Sequence, residues 1–246
     1  MPEFLEDIVQ KNLNCVSFIK TPDDRLPLFN GAYSTKLYQI EKYLVNLKPN
    51  YKDNILGGLL KIKHKSHFLL IDIDKPPKKK FSKSYQSGPL SFEYFLDGIK
   101  VISNSGFGNN ISKKAELLSR VTACQSTLTI NDTSITKFET NEMINKVFGN
   151  SIQNNFKSFD ISSKNERKLV GCSASNNGYE KLFGCTHKRE IYLDKEENYL
   201  KGMDHIFKAK DGYPIRYAFR FHINPELSVV KTMSGNSALI QISKNK

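Results

Sequence analysis

The chain has 246 residues, 39% of them hydrophobic, which suits one large folded domain or two small ones. No run approaches the ~18 consecutive apolar residues of a membrane span, and Met1-Pro-Glu-Phe-Leu-Glu-Asp7 carries acids where a secretory leader carries bases, so neither a spanning helix nor a signal peptide is expected in this chain. A formal net charge of +12 attracts polyanions and leaves nucleic acid, anionic lipid and acidic polysaccharide as candidate partners.

Leu5, Ile8, Val9, Leu13 and Val16 recur at helical spacing. Leu37, Ile40, Leu44 and Leu47 do so again after the Pro27-Leu-Phe-Asn-Gly31 turn, which predicts two short helices within residues 1–50. Beyond Pro49 the pattern changes to short alternating or β-branched runs at 55–63, 68–74, 90–96, 100–103, 126–131, 168–173, 186–193, 206–209, 215–223, 227–231 and 238–242. After the second run comes the densest basic cluster, Lys75, Lys78, Lys79, Lys80 and Lys83 around Pro76-Pro77, which reads as a solvated loop that at most steers anions. Asp-Gly at 97–98 and 211–212 and Asn-Gly at 177–178 are the punctuation expected between strands. The Asn- and Ser-rich stretch 140–159 has no clear period and reads as a long loop. Many strands without alternating helices predict a mainly β fold: a large antiparallel β-sandwich over 51–246, with a short helical segment over 1–50 in front of it.

Cys15, Cys124, Cys172 and Cys185 show no C-x-x-C spacing and no histidine at zinc-finger distance, which argues against a structural zinc site. Buried free thiols are expected, with a Cys172–Cys185 bridge as the alternative in an oxidising compartment. In Arg216–Ile223 a period of two separates Tyr217, Phe219, Phe221 and Ile223, assigned to the core, from Arg216, Ala218, Arg220 and His222. Two guanidinium forks and a histidine on one face suit carboxylate or sulfate recognition; the alternative is a solvated or internally paired sheet face. His187 and Arg189 likewise share a strand face.

Five motifs stand in a fixed order. They are Asp24-Arg-Leu-Pro-Leu-Phe-Asn-Gly31; Gly88-Pro-Leu-Ser-Phe-Glu-Tyr-Phe95, with Asn104-Ser-Gly106 and Gln125-Ser-Thr-Leu-Thr-Ile-Asn-Asp132 behind it; Ala174-Ser-Asn-Asn-Gly-Tyr179; Thr186-His-Lys-Arg-Glu-Ile-Tyr-Leu193; and Tyr217-Ala-Phe-Arg-Phe-His-Ile-Asn-Pro225. Together they resemble the C-terminal β-domain of heparinase II/III-like polysaccharide lyases. The resemblance implies a two-part enzyme, an α/α toroid followed by a β-sandwich, with an anionic saccharide in the cleft between them. Residues 1–50 then correspond to the end of the toroid, and the chain looks like the C-terminal portion of a longer protein of the periplasm or cell envelope.

Lytic cleavage of a uronate removes the proton next to the sugar carboxylate. It needs that carboxylate neutralised and an acid and a base at the scissile positions. The family takes a tyrosine and further groups from the toroid, and a histidine, with zinc or calcium ligands in some members, from the β-domain. Here the resemblance puts Gln86, Asn104, Gln125 and Asn176 at family histidine or aspartate positions. Carboxamides hydrogen-bond to sugars but neither transfer protons nor ligate zinc well, so the expected site contacts substrate without a metal cofactor. The resemblance leaves His187, His222 and Tyr179 as candidate working groups, with Gln86, Asn104, Gln125, Asn176, Arg189, Arg216 and Arg220 as substrate contacts. These residues imply the β-domain of an enzyme acting by β-elimination on acidic polysaccharide and inactive alone; the alternative is a non-catalytic carbohydrate-binding module. With no RNP-like aromatic stretch, KH-type loop, zinc finger or helix-turn-helix in the sequence, a nucleic-acid partner ranks last.

Overall fold

The computed structural model describes residues 2–37, 48–208 and 216–242; most of the second predicted helix and the 211–212 turn lie outside them. Helix α1 is Glu3–Ile19. Glu3 and Glu6 complement the positive end of its dipole, and the helix stops ahead of Pro22, which cannot continue it. The strands follow as β1 (Ile55–Leu56), β2 (Leu59–His64), β3 (His67–Asp72), β4 (Phe92–Leu96) and β5 (Ile99–Ser103). After helix α2 (Lys113–Leu118) and strand β6 (Leu128–Ile130) come helix α3 (Glu142–Phe148), β7 (Ser158–Asn165), β8 (Leu169–Asn176) and helix α4 (Glu180–Phe183). The chain closes with β9 (Cys185–Asp194), β10 (Tyr199–Lys208), β11 (Tyr217–Phe219), β12 (His222–Ile223), β13 (Ser228–Lys231) and β14 (Ala238–Gln241).

The fold is mainly β, and every strand pairing is antiparallel, as expected from the runs. One sheet has the order β1-β2-β3-β4-β5-β12 and a second the order β10-β9-β8-β7. They face each other across a core in which Leu60, Ile62, Leu69 and Ile71 of the first meet Val170, Cys172, Ile191 and Leu193 of the second. Strand β3 is buried along its whole length because its alternate residues, Phe68 and Leu70, pack with Phe18 of α1 and Phe29 on the opposite face. Each fully buried Leu, Ile or Phe contributes about 1.5–3 kcal/mol, so α1 is held by its packing more than by its own propensity.

Asp97 (φ 51°) and Gly98 (φ 82°) form the predicted turn between β4 and β5, both in the left-handed region that a type I′ hairpin requires. At Gly171 on β8 the constraint is space: a Cβ there lies 2.5 Å from the Ile191 carbonyl oxygen across the ladder. Gly171→Ala is therefore expected to lower the unfolding free energy by about 1–3 kcal/mol, read as a shifted urea midpoint at constant slope.

Several expectations need correction. Stretch 140–159 is not one loop: Asn141 caps α3 by accepting from the Met143 and Ile144 amides, and the stretch ends in β7. The alternation in 216–223 faces the other way. Tyr217, Phe219 and Phe221 are the exposed set, while Ala218, Arg220 and His222 are half-buried. The four cysteines are free as expected, but only Cys172 and Cys185 are buried, Cys15 and Cys124 being half-buried. Among the described residues no helix is long and apolar enough to cross a membrane.

Candidate functional site

Strand β4 supplies the foundation of the site. Its alternation sends Phe92 and Tyr94 into the core between the sheets and Glu93 to the other face. Glu93 is fully buried and accepts from the Asn104 backbone amide (3.2 Å), the Lys100 ammonium (3.0 Å) and the Ser103 hydroxyl (3.3 Å). Burial raises its pKa, against the pull of Lys100. Glu93 thus fixes the 103–104 corner. Its signal in the sequence was a lone acid inside the apolar run Phe92-Glu-Tyr-Phe95.

Gln86, Asn104 and Gln125 come together around that corner. Gln86 Nε2 donates to the Gly106 carbonyl (2.9 Å) and the Ser119 carbonyl (3.1 Å), and Gln125 Nε2 donates to the same Ser119 carbonyl (2.8 Å). Gln86 Oε1 accepts from the Gly31 amide, and Asn104 Oδ1 from the Ser126 amide. All three side chains are buried. Gln86 and Gln125 are thus committed to the backbone, whereas Asn104 Nδ2 is buried without any partner. A buried donor without an acceptor costs about 1–3 kcal/mol, so this atom is the unsatisfied donor of the cluster.

Asn104 also lines a cleft of about 650 Å³, together with Ser105, His222, Lys100, Arg25 and Asn224. His222 Nε2–H donates to the Ala123 carbonyl (3.0 Å), and the His222 amide donates to Ser126 Oγ (3.0 Å). A neutral ring held this way carries its lone pair on Nδ1. The cleft therefore combines the Asn104 amide and an imidazole with Lys100, already paired with Glu93, Arg25, which faces Asp23, and the carboxylate of Glu226.

The remaining candidates lie elsewhere. Arg189, buried on β9, donates to both oxygens of Asp204 on β10 (2.7 and 3.1 Å) and to the carbonyls of Leu90 and Ser126 (2.8 Å each). His187 shares Asp204 at 2.7 Å. Burial lowers the His187 pKa against the pull of Asp204, so Nε2 carries the proton it donates. Burial alone raises the Asp204 pKa, but the bonds from His187 and Arg189 outweigh it and hold the carboxyl at about 2. Asp204 belongs to no motif in the sequence. The register that sets it opposite Arg189 reveals it.

Arg216 and Arg220 both pair with Asp132, and Arg220 also donates to Thr129 Oγ1, so the internally paired alternative describes this face. Tyr179 is buried, its hydroxyl donated to the Thr133 carbonyl (2.7 Å), and burial pushes the phenol well up. Asn176 donates to the Lys157 carbonyl and Ser158 Oγ, accepts from the Gly178 amide, and shares no partner with the other three carboxamides.

The donor set does not fit zinc or calcium at the carboxamide cluster. Amide nitrogens are not ligands, and the amide oxygens of Gln86 and Asn104 already accept from backbone amides. Among the described residues no group of three or more His, Cys, Asp or Glu is placed to hold a metal.

The family model for the heparinase II/III-like C-terminal domain matches residues 49–246. No curated protein matches the sequence. Among solved structures, a mutant of the heparan sulfate lyase HepC from Pedobacter heparinus superposes with a TM-score of 0.70 at 14% identity, over 97% of this chain and 38% of that one. The unmutated HepC gives 0.68 at 15% identity, with the same coverage. A heparinase III with methylated lysines gives 0.70 at 16% identity, over 98% of this chain and 38% of that one. Identities this low establish a shared fold, and the chain spans well under half the length of those enzymes. With the family model matching all of the chain beyond residue 48, the chain belongs to the heparinase II/III-like C-terminal domain family.

Proposed function

We propose that this chain is the C-terminal part of a lyase-related protein that acts on a uronate-containing acidic polysaccharide by β-elimination, with residues 1–50 forming the end of an α/α toroid. In this reading the chain alone binds the polymer and does not cleave it. The observation that carries the proposal is the unpartnered Nδ2 of Asn104, a residue that lines the cleft with His222. A carboxylate there gains a desolvated amide donor at the corner that Glu93 fixes, with the His222 imidazole beside it, while Lys100 and Arg25 lie nearby with Glu93 and Asp23 as their present partners. His222 Nδ1 is the β-domain group suited to move a proton. The second proton-transfer group comes from the toroid.

His187 and Tyr179, buried and engaged as they are, position the β-domain in this reading, with Arg189 tying β9 to β10 and to the Leu90 and Ser126 carbonyls. The family resemblance carries over the expected periplasmic or cell-envelope setting for the whole protein. The second reading, a binding module without catalysis, is favoured by the same carboxamides.

Calorimetry with uronate oligosaccharides tests the proposal. Asn104→Ala is expected to weaken binding by about 1.5–3 kcal/mol, roughly ten- to a hundredfold. The chain alone is expected to give no rise in absorbance from unsaturated ends, with or without added zinc or calcium. Equal affinity in the variant refutes the assignment of the cleft, and clear turnover by the isolated chain refutes the dependence on a toroid.

A further inference from the structure

A larger cleft, of about 940 Å³, has Asp72, Asp74 and Asn30 in its lining, with Phe81, Pro76 and Lys78 contributed by the basic loop. Asp72 ends β3, the most buried strand of the first sheet, and is itself 3% exposed. Its carboxylate accepts from the Asp74 amide (3.1 Å) and Asn30 Nδ2 (3.2 Å). Among the described residues no basic side chain pairs with it, although Lys75, Lys78 and Lys79 of one loop also line the cleft. A carboxylate offers about four acceptor sites, so Asp72 keeps further acceptor capacity in a place where water is scarce. Burial pushes its pKa up to about 7, against the hydrogen bonds from Asp74 and Asn30.

The mouth has a different chemistry. Phe81 is 66% exposed with the Lys80 ammonium 4.8 Å from its ring centre, and Pro76 and Pro77 stiffen the loop that carries it. Lys79 is engaged with Glu139 at 3.2 Å, which anchors the loop. Lys75 and Lys78 are exposed at the rim. An acceptor floor, an exposed aromatic platform and a cationic rim together match the surfaces of a sugar ring: its hydroxyls, its C–H face and a carboxylate or sulfate substituent.

We infer that this cleft is a second subsite for the acidic polysaccharide, in which Asp72 and Asn30 bind ring hydroxyls, Phe81 stacks on the ring and Lys75 and Lys78 take the anionic substituent. It rests on the acidic-saccharide reading above and adds a site outside the Asn104 cleft. Asp72, Asp74 and Asn30 also resemble the oxygen set of a hard cation, and the lysine rim is what decides for the sugar.

Amide shifts of the full chain, titrated with a size-defined sulfated uronate oligosaccharide and separately with calcium chloride, test the inference. The oligosaccharide is expected to shift Asn30, Lys78 and Phe81 in saturable fashion. Phe81→Ala, at an exposed position that leaves the core intact, and Asp72→Asn are each expected to raise Kd about fivefold to tenfold. Shifts confined to Ser105 and His222 overturn this subsite and leave the Asn104 cleft standing; shifts confined to the Asp72 cleft support the subsite and overturn the other assignment. No shifts at either cleft refute both. Saturable shifts at Asn30 with calcium alone, and none with the oligosaccharide, make the cleft a cation site and overturn the inference.

Discussion

Arg189→Ala is expected to lower the unfolding free energy by about 3–5 kcal/mol, the cost of breaking a buried ion pair by removing one partner. The side chain is almost wholly buried and gives all its described hydrogen bonds to groups that cannot turn to water: Asp204 and the carbonyls of Leu90 and Ser126. Its loss leaves the Asp204 carboxylate with only His187, and two carbonyls without a donor. Arg189→Lys keeps the charge but not the planar fork, so an intermediate loss is expected. The sign of the pH effect follows from Asp204. Its pKa falls from the ordinary 3.8 to about 2 on folding, so its contribution is present above 3.8 and is lost as pH falls through about 2. Without Arg189 that carboxyl titrates higher, and the acid-unfolding midpoint moves up in pH. Urea unfolding at neutral and acid pH measures both effects. A loss below about 1 kcal/mol shows that the ion pair with Asp204 and the bonds to the Leu90 and Ser126 carbonyls are not what hold this region.

Asp72→Asn is expected to act in the opposite sense. Burial lifts the Asp72 pKa from its ordinary 3.8 to about 7, so between those values the folded chain holds a proton that the unfolded chain has released. Stability from this group is full below 3.8 and is lost as pH rises through about 7. At about 1.4 kcal/mol per unit, the loss reaches a few kcal/mol, near 4 as an upper value. An asparagine can still accept from the Asp74 amide and carries no charge to desolvate. The variant therefore stays close to wild type at about pH 4 and becomes relatively more stable toward pH 8. The difference isolates Asp72 because Asp204 and Glu93 titrate in both proteins. A variant-minus-wild-type difference that stays flat across the range refutes a buried, protonated Asp72.

Much of this was readable where residues carry their own pattern. Helix α1 shows its apolar stripe, β3 is an unbroken buried run, and Asp97-Gly98 marks its hairpin by chemistry alone. Strand β7 had no such signal. Ser158–Asn165 is mostly exposed and polar, and becomes a strand because β8 offers it a partner. Alternation at 216–223 was real, but a period of two gives faces without saying which is covered, and the edge position of these short strands leaves the aromatic set outside. At the site, the meeting of Gln86, Asn104 and Gln125 followed from the family resemblance. Their burial, and the split between two occupied amides and one idle one, depends on where the carbonyls of Gly106 and Ser119 fall. Asp72 and Asp204 were passed over because their importance lies in depth and register, neither of which a single carboxylate in a strand announces.

The carbonyl of Ser119 is the point where Gln86, Gln125 and the Ser105 hydroxyl converge. None of these groups has a proton that acid or base removes in the ordinary range, and none binds a chelatable ion or reacts with mild oxidants. The loops they tie, carrying Gly31, Gly106 and Ser126, therefore lack any chemical release and can part only by opening together. In deuterated solvent, the amides of Gly31 and Ser126 are expected to exchange at a common free energy, as members of one cooperative opening unit.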